Sequence, residues 1–157
     1  MINTILKKNN ILFLAILLGA LLSSPLYAQT AAELEELLQI QTISYAQAAR
    51  FVLEAADMTS ASNTAQAFAV AAERAWLPKK ASAEKPITLA ELSFLIMKAF
   101  DIKGSMMYAI KPCPRYAYRS MISRSFIQGA SDPAMTVSGD RFLLILGNVL
   151  NAAGGER

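Results

Sequence analysis

Ile87-Thr88-Leu89-Ala90-Glu91 is the stretch whose reading decides the fold. Thr88 is a good helix N-cap, because its hydroxyl accepts from a backbone N–H of the first turn that has no partner within the helix. Glu91, three residues on, can reach back to the Thr88 amide, which makes a capping box. Ile87 lies just before the cap and can touch Leu92 as a hydrophobic staple. The same start signal recurs upstream as Ile43-Ser44 with Gln47 and Ala48. It recurs downstream as Val137-Ser138 with Phe142. Each cap contributes on the order of 1 kcal/mol and fixes the angle at which the chain enters a helix. The downstream copy departs: Gly139 weakens the first turn and Arg141 stands where the capping acid should be, so that helix is expected to be less well capped.

Working outward, the start signals belong to an internal repeat. At an offset of 50, Phe68 meets Tyr118, Ala71 meets Met121, Arg74 meets Arg124, Trp76 meets Phe126 and Leu77 meets Ile127. The same offset carries Ile87 onto Val137, Leu92 onto Phe142 and Ile96 onto Leu146, with no gap. At an offset of 44, Ile43, Ser44, Gln47, Phe51 and Val52 fall on Ile87, Thr88, Glu91, Leu95 and Ile96. No useful length alternates with period two, alanine is abundant and β-branched residues are sparse, so the chain reads as all-α. Helical runs are expected over residues 29–41, 45–58, 65–77 (stopped by Pro78), 88–100, 115–127 (ended by Gly129) and from about 139 to 152. The apolar stripe of the second run is read as Tyr45 or Ala48 with Phe51, Val52, Ala55 and Ala56. Residues 105–114 read as a long irregular connection.

The first 28 residues read as a secretory signal peptide. Lys7 and Lys8 precede an apolar run, residues 11–22, and Leu26-Tyr27-Ala28 offers a cleavage site. The run is shorter than the roughly 20 residues that span a bilayer, although an uncleaved anchor remains open. Cutting after Ala28 removes two of 15 basic residues and no acid, so the net charge falls from +3 to +1. An exported product of the periplasm or cell envelope follows. The division is residues 1–28 signal peptide, 29–42 short N-terminal helix and 43–153 helical domain. This composition excludes recognition of a polyanion by bulk charge alone, a disordered tail and histidine chemistry, since the chain has no His. Cys113 is the single cysteine, in Lys111-Pro112-Cys113-Pro114. A small, partly buried residue is its plain reading; an intermolecular disulfide or reactive thiol is the sharper one, and the chain has no histidine to activate the sulfur.

Helix, loop after an aromatic–apolar pair, then apolar-Thr/Ser-x-x-Glu/Gln opening a second helix resembles the S-layer homology (SLH) domain. Ile87-Thr88-Leu89-Ala90-Glu91 matches four of five positions of that family's Ile-Thr-Arg-Ala-Glu, and Phe126-Ile127-Gln128-Gly129 with Asp132-Pro133 resembles its loop. The resemblance spans about residues 43 to 150. It implies three units about a pseudo-threefold axis, with motif helices near 44–57, 88–100 and 138–151 forming a central three-helix bundle. It also implies non-covalent attachment to a cell-wall glycan or peptidoglycan-linked polymer in grooves between units. The family's motif Arg binds acidic sugar substituents; here Tyr45, Leu89 and Gly139 stand at that position in the three copies.

Among polar features the densest is basic: Lys98, Lys103, Lys111, Arg115, Arg119 and Arg124, against Asp101 alone. Arg115 and Arg119 share a helix face, with Tyr116 and Tyr118 between them. These, with Arg124 and Trp76, are the candidate ligand-binding residues, for an acidic glycan, a lipid headgroup or an acidic protein. An ordinary solvated face with half-buried tyrosines, and a Trp76 that packs as Phe126 does, are the plain alternatives. Met106-Met107 are either an adaptable contact surface or filler at the core edge. Ser44, Gln47, Thr88, Glu91 and Ser138 carry the capping motif. Neither a catalytic constellation nor a metal or cofactor motif is recognised, so a non-enzyme without cofactor is expected. Its partner is expected to be a cell-wall glycan or peptidoglycan, or else another envelope protein met through an apolar and basic surface. Peripheral membrane contact is allowed and nucleic acid is not expected.

Overall fold

The structure, a computed structural model, describes residues 25–58, 63–129 and 131–154. Most of the expected signal peptide, residues 1–24, lies outside the described residues. The described chain is all-α: α1 Pro25–Gln39, α2 Tyr45–Ala55, α3 Thr64–Glu73, α4 Leu89–Ala99, α5 Met106–Ile110, α6 Pro114–Ser123 and α7 Gly139–Gly154. Among these residues there is no strand, only two isolated antiparallel bridges. By contact density the chain divides into two units, residues 1–37 and 38–157. Helices α2 to α7 belong to the second.

Both complete capping boxes form. Ser44 N donates to Gln47 Oε1 at 3.0 Å, and Gln47 N donates to Ser44 Oγ at 3.3 Å. Thr88 N donates to Glu91 Oε2 at 3.0 Å, and Glu91 N donates to Thr88 Oγ1 at 3.4 Å. The staple residues Ile43, Ile87 and Val137 are fully buried, as are Ala48, Leu92 and Phe142. At the third start, the Ser138 side chain hydrogen-bonds the Asp140 carboxylate, which is held below its ordinary pKa chiefly by that bond.

The three start segments are joined to one another through the backbone. Ile87 N donates to Ile43 O at 3.0 Å, and Ile43 N donates to Val137 O at 2.8 Å. The antiparallel pairing of Thr88 with Thr136 supplies the remaining side. The residue after each cap also donates outward, to the segment before another start: Tyr45 N to Lys85 O, Leu89 N to Met135 O and Gly139 N to Ile40 O. A helix begins with N–H groups that have no intrahelical acceptor. Here the carbonyls of a neighbouring loop take them.

Around this junction α2 packs on α3 and on α4, α4 packs on α6, and α5 on α6. Phe51 of α2 meets Phe142 of α7 with ring centroids 6.1 Å apart, and Asn148 of α7 donates to Phe126 O at 3.1 Å. The stripe of α2 is turned relative to expectation. Ala49 and Leu53 are buried, whereas Phe51, Ala55 and Ala56 are half-buried.

Three further expectations are corrected. The runs expected to reach Leu77 and Ile127 stop at Glu73 and Ser123, because Ala75 and Ser125 adopt positive φ (55° and 60°). Trp76 N then bonds Ala71 O, and Phe126 N bonds Met121 O, which is the Schellman closure with an apolar residue after the turn. Gly129, expected to end that run, lies in the following turn with φ 77°. The connection expected to be irregular holds the short helix α5, capped by Ser105.

Candidate functional site

The repeat offsets also govern how the helices end. Asp57 and Asp101, 44 apart, both have positive φ (53° and 49°), and Met58 N to Leu53 O is matched by Ile102 N to Met97 O. Ala75 and Ser125 do the same 50 apart. Two equivalent junctions result, each with an apolar residue after α2 or α4 and an Arg with an aromatic at the end of α3 or α6. In one, Met58, Arg74 and Trp76 close on each other. The Arg74 guanidinium lies 5.0 Å from the Trp76 ring centre, and its Nη1 meets Met58 Sδ at 4.0 Å.

In the other, the corresponding Ile102, Arg124 and Phe126 do not close. They line a cleft of about 370 Å³ with Phe100, Asp101, Lys103 and the end of α7. Arg124 Nη2 donates to Lys103 O at 2.6 Å. That bond uses one of the guanidinium's five donors and holds the cation at the rim. A neighbouring cleft of about 280 Å³ lies among Ala55, Asp57, Phe100 and Leu150. The larger cleft combines a guanidinium, an ammonium and one carboxylate with aromatic and aliphatic walls. Such a lining suits an anionic group carried on a partly apolar body, since a planar guanidinium pairs well with carboxylate or phosphate.

The expected site residues do not converge. Arg124 lines the cleft. Arg115 and Arg119 are exposed on α6. Tyr118 is buried, and its hydroxyl meets Ser131 Oγ at 2.9 Å and donates to Ser131 O at 3.1 Å, so it braces the loop rather than facing solvent. Tyr116 is half-buried and Trp76 is occupied by Arg74. The capping residues Ser44, Gln47, Thr88 and Glu91 act within the framework.

Two features have no signal in the sequence. Lys103 joins Arg124 only through the fold, 21 residues away. Tyr45, the second residue after Ile43, is buried, and its hydroxyl donates to the Glu91 carboxylate; burial first, then that bond and that charge, push the phenol far above its ordinary pKa. The alignment of Tyr45 with Leu89 and Gly139 marks the position as changed but gives no partner.

Tyr108 is the second perturbed phenol. Burial raises its pKa, with smaller contributions from Asp101 and Cys113, and its buried hydroxyl has no hydrogen-bond partner among the described residues. Cys113 is half-buried at the start of α6. Among the described residues no cluster of acids or cysteine could hold a metal ion, and no helix is long and apolar enough to cross a membrane. Comparison with family models, with curated proteins and with solved structures gives no match in any of the three.

Proposed function

We propose that the chain is a non-catalytic module of the cell envelope, SLH-like in architecture, that binds an anionic wall polymer in the cleft at Arg124 and Lys103. The mutual backbone pairing of the three start segments supports a pseudo-threefold arrangement, with α2, α4 and α7 as its inner helices. The matching helix ends at both repeat offsets support it further. Tyr45, Leu89 and Gly139 are all buried, so none of the three positions of the family's Arg is available to a ligand. The cationic partner therefore moves to the end of the outer helix. The observation that carries the reading is the contrast between equivalent junctions: Arg74 is stacked against Trp76, whereas Arg124 borders an open cleft.

Retention of the purified protein on sacculi that keep their wall polymers tests this. Wild type is expected to be retained. Arg124→Ala is expected to weaken retention about tenfold, the loss of one charge-assisted hydrogen bond. Arg115→Ala with Arg119→Ala is expected to weaken it less. Retention equal to that of an unrelated control protein would overturn the proposal.

A further inference from the structure

We propose that α5 and the cations around it form a docking surface for an anionic lipid bilayer, separate from the cleft. Helix α5 is pinned by one side chain. Tyr108 is buried, its ring edge-on to Phe94 with centroids 6.3 Å apart. The same ring lies where a side chain on Gly104 would have to go, so only glycine allows this approach. Ser105 fastens the segment to α6, its amide donating to Ser120 Oγ at 3.1 Å. Held this way, the helix leaves its other large apolar side chains in solvent: Met106 is 80% exposed, Ile110 74% and Met107 56%. The remaining exposed large apolar residues, such as Leu34, Ile122, Met135 and Leu144, reach at most 56% and are spread over several elements. Singly exposed apolar residues need no explanation, but three on one anchored turn mark a contact surface.

Charge selects the occupant. Residues 104–123 contain three cations and no acid, while the rest of the chain has twelve cations against twelve acids. Lys111 follows α5 directly. Arg115 and Arg119 are exposed on α6, on which α5 packs. The side chains of α5 protrude as knobs and bring no hydrogen-bonding group with them, which fits acyl chains better than a protein pocket of matched shape. Apolar tips entering the headgroup boundary, ringed by Lys and Arg that pair with anionic headgroups, is the usual physics of a peripheral membrane contact.

The apolar run at residues 11–22 can itself hold the full chain on any vesicle, so the readout must be local. In a Cys113→Ser background, Met107→Cys carries a polarity-sensitive fluorophore, and Ile110→Cys serves as a second labelled position. Vesicles of phosphatidylcholine with about one third phosphatidylglycerol are expected to shift the emission to the blue and to allow quenching by brominated acyl chains. Binding is expected to weaken at least tenfold on neutral vesicles, and likewise on reversing Lys111, Arg115 and Arg119 to Glu. High salt is expected to weaken it too, since the Debye length falls to about 3 Å at 1 M. Arg124→Ala is expected to leave the shift intact, which separates this surface from the cleft. The proposal is overturned if both labels stay silent on anionic vesicles or respond equally to neutral ones. Indifference to charge reversal, or a blue shift produced by an acidic protein and not by vesicles, overturns it too.

Discussion

Tyr45 and Tyr108 show how the same side chain acts oppositely in two settings. Tyr45 gives its hydroxyl to Glu91, whose carboxylate also closes the Thr88 capping box. Glu91→Ala removes both contacts and strands a buried phenol, so it is expected to cost about 2–3 kcal/mol in a denaturant titration. Gln47→Ala, which loses only its own box, is expected to cost about 1 kcal/mol. Among the described residues Tyr108 has no partner for its hydroxyl, so Tyr108→Phe is expected to be neutral or stabilising by up to about 1 kcal/mol. Both phenols have a raised pKa in the folded state. Above the unfolded value of about 10, the unfolded chain therefore gives up its phenolic protons first. That stability is fully present below pH 10 and declines as the pH rises beyond it. Unfolding followed from pH 9 to about 11.5 is expected to show the decline, and Tyr45→Phe with Tyr108→Phe to flatten it. The capping pairs were legible in the sequence because their partners lie three residues apart. The Tyr45–Glu91 bond was not, because it joins two copies of the repeat, 46 residues apart.

At the scale of single elements, the starts of the capped helices were readable and the ends of α3 and α6 were not. A hydroxyl followed by an acid announces a start. An end is announced most clearly by glycine, and here four ends use Asp57, Ala75, Asp101 and Ser125 in the left-handed region instead. Without that signal the runs 65–77 and 115–127 read about four residues too long. Aspartate tolerates such a conformation better than alanine does. Ala75→Gly is accordingly expected to stabilise by roughly 0.5–1 kcal/mol, seen as a higher denaturation midpoint at unchanged slope. Gly104→Ala is expected to cost about 1–3 kcal/mol, because a Cβ there would stand 2.5 Å from the Tyr108 ring. Helix α5 has no signature in the sequence because its five residues are too few for periodicity to register.

For the whole molecule, the sequence established the helical class through its composition and its lack of period-two alternation, and one member of the cleft, Arg124, through the basic stretch. It could not bring Lys103 to Arg124, or distinguish the open junction from the one closed by Trp76, since both depend on how loops fold back. The shared backbone links make the start segments one cooperative unit. Ile43→Ala, at a fully buried position among them, is expected to cost about 2–5 kcal/mol. In hydrogen exchange the Ile43, Ile87 and Leu89 amides are expected to open only with global unfolding.

Ile43 must wait for Val137, a partner nearly the length of the domain away along the chain. As the polypeptide emerges from the ribosome, its earliest segment stays without that partner until the final helix is available. Until Val137 has been made, the first start segment therefore lacks one of its backbone partners. Such late closure is bought with slower folding.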